Sequence, residues 1–263
     1  MNRDIVRQFV NIVALIFTLV INVLAQLEVG GIGVANSAVL ANRYPDLYYF
    51  PANQAFSIWG IIYSFLIAFT IYQALPSQRA NPLLRRLGYW FPVTALFNTA
   101  WLASFQYEQF ALSMVMMLAL LGSLIVVYLR LGIGRTTVSL LEKLVIHVPF
   151  SLYLGWITAA TVTNASYVLR DANWGGFGIA SEVWGVVLLA VTGILGIAML
   201  LRHRDVAYGL VIVWATYWIA SRHSDVQIIA VAALGIAIVM LLGSLISFGL
   251  SLRNTAALRS AAA

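Results

Sequence analysis

Met114–Leu129 reads MVMMLALLGSLIVVYL, a run with no charged residue and no polar face. A helix that is apolar on all sides belongs in a large core or in a membrane. A membrane-crossing strand is excluded, because it would alternate in polarity over about 9–11 residues. Composition decides between core and bilayer. Of 263 residues, 62% are hydrophobic and 9% charged, with a mean hydropathy of +0.92, whereas soluble domains are about 45–50% apolar and about 25% charged. So few charges cannot clothe a water-facing surface, and the chain reads as an integral membrane protein. The same figures exclude disorder, which needs low hydrophobicity and high charge. The absence of cysteine excludes disulfides, thiolate metal sites and cysteine nucleophiles.

Extending the search outward gives eight apolar stretches of spanning length, at about 8–27, 55–75, 87–106, 110–130, 144–169, 180–201, 206–221 and 226–250. The seventh is short. With the N-terminus in the cytoplasm, 12 of the 15 basic residues fall on the cytoplasmic side. Only Arg43, Arg170 and Arg222 fall opposite. That is a positive-inside bias, which supports an even number of spans with both termini inside. The net charge of +6 therefore describes orientation rather than a nucleic-acid partner, which would need a clustered basic patch. The first run lacks a small-x-small cleavage site and carries Asp4 between Arg3 and Arg7, so it reads as a retained helix. The expected fold is an all-α polytopic membrane bundle. One connection is long: residues 28–54 carry Tyr44, Tyr48, Tyr49 and Phe50 with Pro45 and Pro51, a composition that suits a functional lid better than a disordered linker.

The usual catalytic constellations are absent. The cluster Gly30-Gly31-Ile32-Gly33 follows a span and lacks both the preceding strand and the third spaced glycine of a nucleotide fingerprint. His147, His203 and His223 fall in different segments, which is poor for a metal site. His147 reads as a polar group satisfied near a helix end, with axial ligation of a bound metalloporphyrin as the alternative. No acidic residue lies deep in a span, which argues against ion-coupled transport. No enzymatic activity and no metal are expected.

Three spans carry a more telling pattern. Phe56, Trp59 and Tyr63 are spaced i, i+3, i+7, as are Asn98, Trp101 and Phe105; Tyr153, Trp156, Ala160 and Asn164 follow at i, i+3, i+7, i+11. At about 100° per residue each set occupies one helical face. The alternating topology puts all three sets in the outer half of the membrane, beneath the aromatic loop. Ordinary bundle packing is one reading of these faces. The other is a cavity walled by flat rings, with amides and phenols at the edges, suited to a large, planar, mostly apolar ligand. There Ala160 leaves room, and Asn98 and Asn164 supply polar contacts.

These residues also carry a resemblance. Tyr153-Leu154-Gly155-Trp156-Ile157-Thr158-Ala159-Ala160-Thr161-Val162-Thr163-Asn164 is similar to the Y-L-A-W-V-S-F-A-T-x-L-N run of the tryptophan-rich sensory or translocator proteins (TspO/MBR, peripheral benzodiazepine receptor type). Asn98-Thr99-Ala100-Trp101 followed by Phe105 resembles that family's N-x-x-W-x-x-x-F-F segment. Pro51 followed by Ile58-Trp59-Gly60-Ile61-Ile62-Tyr63 resembles its V-W-x-x-L-Y segment. The three matches lie in register across residues 8–169. The chain departs from the pattern at Asn53, Leu152 and Gln106, where the family has tryptophan, proline and phenylalanine.

The resemblance implies a five-helix module over 1–169 with the first loop as a lid, and a membrane extension of about three helices over 170–263. It further implies binding of porphyrins or other tetrapyrroles, or of sterol-like ligands, for sensing or transport, with porphyrin photodegradation proposed for bacterial members. The implied ligand-binding residues are Trp59, Asn98, Trp101, Trp156, Ala160 and Asn164, with Tyr63 and Tyr153 matching the motifs as site or packing residues. The expected partners are the lipid bilayer, a hydrophobic small molecule and, as a candidate, a second copy in a homodimer. The expected location is the bacterial cytoplasmic (inner) membrane. Two rival readings are a permease for a hydrophobic metabolite and an assembly subunit of a larger membrane complex.

Overall fold

The computed structural model describes residues 3–26 and 43–261, the stretch 252–261 as backbone. The glycine cluster at 30–33 and the start of the long connection lie outside the described residues, as do the side chains of Arg253 and Arg259. Eight long helices make up most of what is described. They are α1 (Arg3–Gln26), α2 (Ile58–Ala74), α3 (Trp90–Gln106), α4 (Phe110–Leu131), α5 (Val148–Asp171), α6 (Ser181–His203), α7 (Val206–Arg222) and α8 (Gln227–Ala261). No strand occurs among the described residues.

Six of the eight are long and apolar enough to cross a membrane, counting α2 from Asn53 and α5 from Leu140. The other two, α3 and α7, have 17 residues each, about 25 Å at 1.5 Å per residue against a hydrocarbon core of about 30 Å. The sequence marks α7 as short but extends the third span back to about residue 87. There the chain instead forms a separate short helix, Pro82–Leu87, ended by Gly88 at φ 62°, which only glycine adopts without strain. Apolar side chains such as Phe9, Phe17, Ile194 and Ile246 are exposed on the outer faces of the bundle, the surface that lipid would cover.

α1 packs on α2 and α3, and α3, α4 and α5 follow in sequence. α7 packs on α5, and α6 and α8 cover its other faces. Side chains clamp the end remote from residues 43–57. Gln8 donates to the carbonyls of Gln73 (2.6 Å) and Leu75 (3.0 Å), and Asn11 donates to Gln73 Oε1 at 3.1 Å. Asp4 there binds Arg7 and Arg85. Asp205 caps α7, its Oδ1 accepting from the Tyr208 amide at 3.1 Å, while its Oδ2 accepts from Tyr128 of α4 and Ser151 of α5, both at 2.8 Å. One buried carboxylate thus pins α7 to two neighbours. Removing it in Asp205→Ala leaves two hydroxyls and an amide unpaired, at about 1–3 kcal/mol each. The detergent-solubilised variant should unfold at a clearly lower temperature than Asp205→Asn, which keeps an acceptor. Equal midpoints for Asp205→Ala and wild type would refute the clamp.

Candidate functional site

The segment after Arg43 does not simply close the bundle from above. It descends between the helices. The Tyr44 and Phe50 rings lie 5.9 and 5.6 Å from that of Tyr167, and the Phe56 ring lies 5.8 Å from that of Trp156. Tyr167 and Trp156 are eleven residues apart on α5, so this strap drops about 16 Å along the helix before α2 begins. Non-helical backbone at such depth must find its hydrogen bonds in protein. It finds them mainly on α7: Trp214 Nε1 donates to the Ala55 carbonyl (2.9 Å), the Ala52 amide donates to the Trp218 carbonyl (3.0 Å), and His223 Nε2 donates to the Phe50 carbonyl (3.2 Å). Thr163 of α5 reaches the Tyr49 carbonyl at 3.5 Å. The Tyr49 hydroxyl shares a 2.6 Å hydrogen bond with Thr192 of α6, and Tyr48 donates to Glu182.

Between the strap and α1, α2, α3, α5 and α7 lies a cavity of about 740 Å³, within the usual range of about 300–1,000 Å³ for small-molecule sites. Trp59 is its centre. Its ring lies 5.3 Å from Tyr63 and 6.5 Å from Trp101, both near-parallel, and 6.4 Å from Trp156 in an edge arrangement. The three aromatic faces foreseen in the sequence therefore meet. Of the eight candidate residues, Trp59, Tyr63, Trp101, Trp156, Ala160 and Asn164 line the cavity. Asn98 and Tyr153 do not. Both are buried behind the wall, where the Asn98 side chain interacts with the Tyr153 hydroxyl and the Tyr153 ring packs on Trp59. Asn164 is committed to the protein: its Oδ1 accepts from Trp101 Nε1 at 3.2 Å, and its amide pairs with the Ser113 hydroxyl at 3.2 Å. It fixes the Trp101 ring in place. His147 is buried at the far end and lies outside the cavity lining.

The wall also contains residues that the motif faces do not include. Tyr49 and Phe50 come from the strap, Leu19 and Asn22 from α1, Tyr167 from α5, and Ala215 and Ile219 from α7. Asn22, an amide near the end of an apolar span, was the one local signal on α1. The α7 residues had none, because Ala and Ile look the same facing lipid or facing a ligand. Gly155 stands where the translocator-type motif has alanine. A Cβ there would come within 3.1 Å of Val211 Cβ and 3.3 Å of the Tyr208 carbonyl, so the bare glycine lets α7 seat against α5.

The sequence profile of the TSPO-like protein family matches residues 8–246, most of the chain and well past the three motifs. The chain belongs to the TSPO-like protein family. No curated relative and no solved structure matches it. This TSPO-like chain is an integral membrane protein, and its matched stretch includes α6 and α7, which supply the Thr192 and Trp214 contacts to the strap.

Burial, and then the neighbouring Arg222, hold the His223 imidazole below its ordinary value of 6.5. It is thus neutral at pH 7, with Nε2–H donating to the strap. Burial, and then the bond to Glu182, push the Tyr48 phenol up, so it stays protonated as a donor. The linkage sign follows. Well above pH 6.5 His223 is neutral whether folded or unfolded and contributes no pH dependence. As pH falls below that value the unfolded chain takes up a proton that the folded latch refuses, so stability is lost until the folded imidazole also titrates. His223→Gln should therefore show a smaller drop in unfolding temperature between pH 7.5 and 5.5 than wild type. Identical drops would remove His223 from the pH dependence.

Proposed function

We propose that the protein binds a large, flat or elongated hydrophobic ligand in the strap-lined cavity, as a receptor or carrier for tetrapyrrole or sterol-like molecules rather than as an enzyme. The observation that carries this reading is the convergence of Trp59, Trp101 and Trp156 on one cavity of about 740 Å³. Their rings offer stacking area, and Ala160 leaves one face of the wall open. A porphyrin macrocycle suits the flat walls. Its carboxylates have no lining cation to meet. Asn164 acts as a positioning residue through Trp101, and Asn98 supports the wall from behind.

The ends of the bundle differ in charge in the sense expected of an inner-membrane protein with both termini in the cytoplasm. The described strap end carries Arg43, Arg170 and Arg222, and the other end ten lysines and arginines. The ligand then enters from the outer side.

Titrating a porphyrin into nanodisc-embedded protein should quench tryptophan fluorescence saturably, with empty nanodiscs as the blank. Trp156→Ala removes stacking area and Ala160→Phe fills the space. Each should weaken binding at least about tenfold, equivalent to about 1.4 kcal/mol. Wild-type affinity in both variants would remove the pocket assignment.

A further inference from the structure

Among the described residues, the cavity wall contains no lysine, arginine, histidine, aspartate or glutamate. Its polar groups are neutral; the Tyr63 and Tyr167 hydroxyls and Gln106 Oε1 have no partner among the described residues, and others are already engaged. Asn164 holds Trp101 and Ser113, Tyr49 holds Thr192, and Asn22 Nδ2 donates to the Thr18 carbonyl at 2.8 Å. An ionised carboxylate drawn inside would have no counter-ion, and burying an unpaired charge in a low-dielectric site is strongly unfavourable.

The mouth offers no remedy. Arg43 is bound to Glu108 at 2.8 Å and Arg170 to Asp46 at 3.1 Å, and the Arg222 guanidinium sits over the Phe50 ring at 5.0 Å. With Asp171, Glu182 and Asp225, five carboxylates face three guanidiniums among the described residues of this end. Residues 27–42, the rest of the connection, add Glu28 and contain no lysine, arginine or histidine. An approaching anion therefore meets a net negative field. Two uncharged amides, Asn22 and Gln106, mark the ends of α1 and α3 at the mouth side of the wall, above the tryptophans. The cavity reaches from Tyr167 to Trp156, about 16 Å along α5.

We infer that the cavity selects uncharged ligands and rejects carboxylate-bearing ones. Its occupants are elongated polycyclic or isoprenoid molecules whose polar groups are hydroxyl, carbonyl or ester oxygens held at the amide-rimmed mouth. This inference rests on the pocket reading above and narrows it by charge.

The test compares protoporphyrin IX with its dimethyl ester in nanodiscs of zwitterionic lipid, read by saturable tryptophan quenching. At pH 7.5 the ester should bind at least tenfold more tightly than the diacid. The gap should close toward pH 5 as the free carboxylates protonate. Gln106→Arg, which places a cation at the mouth, should raise diacid affinity while leaving ester affinity near wild type, a gain that a misfolded protein could not give. Equal affinities, or tighter binding of the diacid, would overturn the charge selection; the pocket reading would survive if Ala160→Phe still weakened both probes. Saturable binding of neither probe would remove the pocket reading and the selectivity with it.

Discussion

Peptide groups inside a membrane bundle have no water to bond, and that constraint organises this molecule around its strap. The chain between Arg43 and α2 runs about 16 Å down into the bundle without being a continuous helix. Each of its buried amides and carbonyls that lacked a partner would cost several kcal/mol in hydrocarbon. α7 meets the demand with a ladder. His223, Trp218 and Trp214 bond Phe50, Ala52 and Ala55 in turn as the strap descends antiparallel to the helix. Helix backbone alone has few groups to offer sideways, so an indole N–H and an imidazole N–H supply most of the rungs. α7 then needs cover of its own, which α6 and α8 provide.

The same economy explains the roles of the polar side chains near the cavity. A buried amide facing a ring-lined void would be an unsatisfied group whenever the void held only apolar matter. Asn164 avoids this by bonding Trp101 and Ser113, which ties α5 to α3 and α4. At Asn164 the cost of polarity is met within the protein, and the rings are left to face the cavity. The indole of Trp101 is therefore oriented by a hydrogen bond on its edge, while its face remains available for stacking.

Much of this was legible in the chain, and the parts that were not share a cause. Helical faces are local, so the 3.6-residue period places Trp59, Trp101 and Trp156 each on the patterned face of its own helix and leaves packing or a shared cavity open. The family assignment followed from the same residues. Asn98 and Tyr153 carry the same spacing yet sit behind the wall, because an arc of about 80° on a helix spans both the cavity edge and the packed interface beside it. Trp214 and Trp218 lie four residues apart on α7, and the structure makes them partners of a strap 159 and 166 residues earlier. Spacing within a helix cannot express that relation. The short α3 was hidden by continuity of hydropathy, since Gly88 interrupts an apolar run without making it polar.

The clamps are not distributed evenly, and their distribution sets which walls of the cavity are stiff. α7 is held at one end by Asp205 against α4 and α5 and at the other by the strap. α5 is held by Asn164 and, through Gly155, by close contact with α7. α1 is different. Among the described residues its hydrogen bonds to the rest of the bundle, through Arg7, Gln8 and Asn11, gather in its first three turns, remote from the cavity. Where it reaches the cavity, Leu19, Val23 and Ala25 make apolar contacts, and Asn22 and Thr18 bond within their own helix. Apolar contacts are non-directional and shift at little cost, whereas a hydrogen bond in hydrocarbon breaks only at the cost of a bare polar group. The tryptophan walls are thus the fixed side of the cavity, and the aliphatic α1 wall is the side on which its width can change.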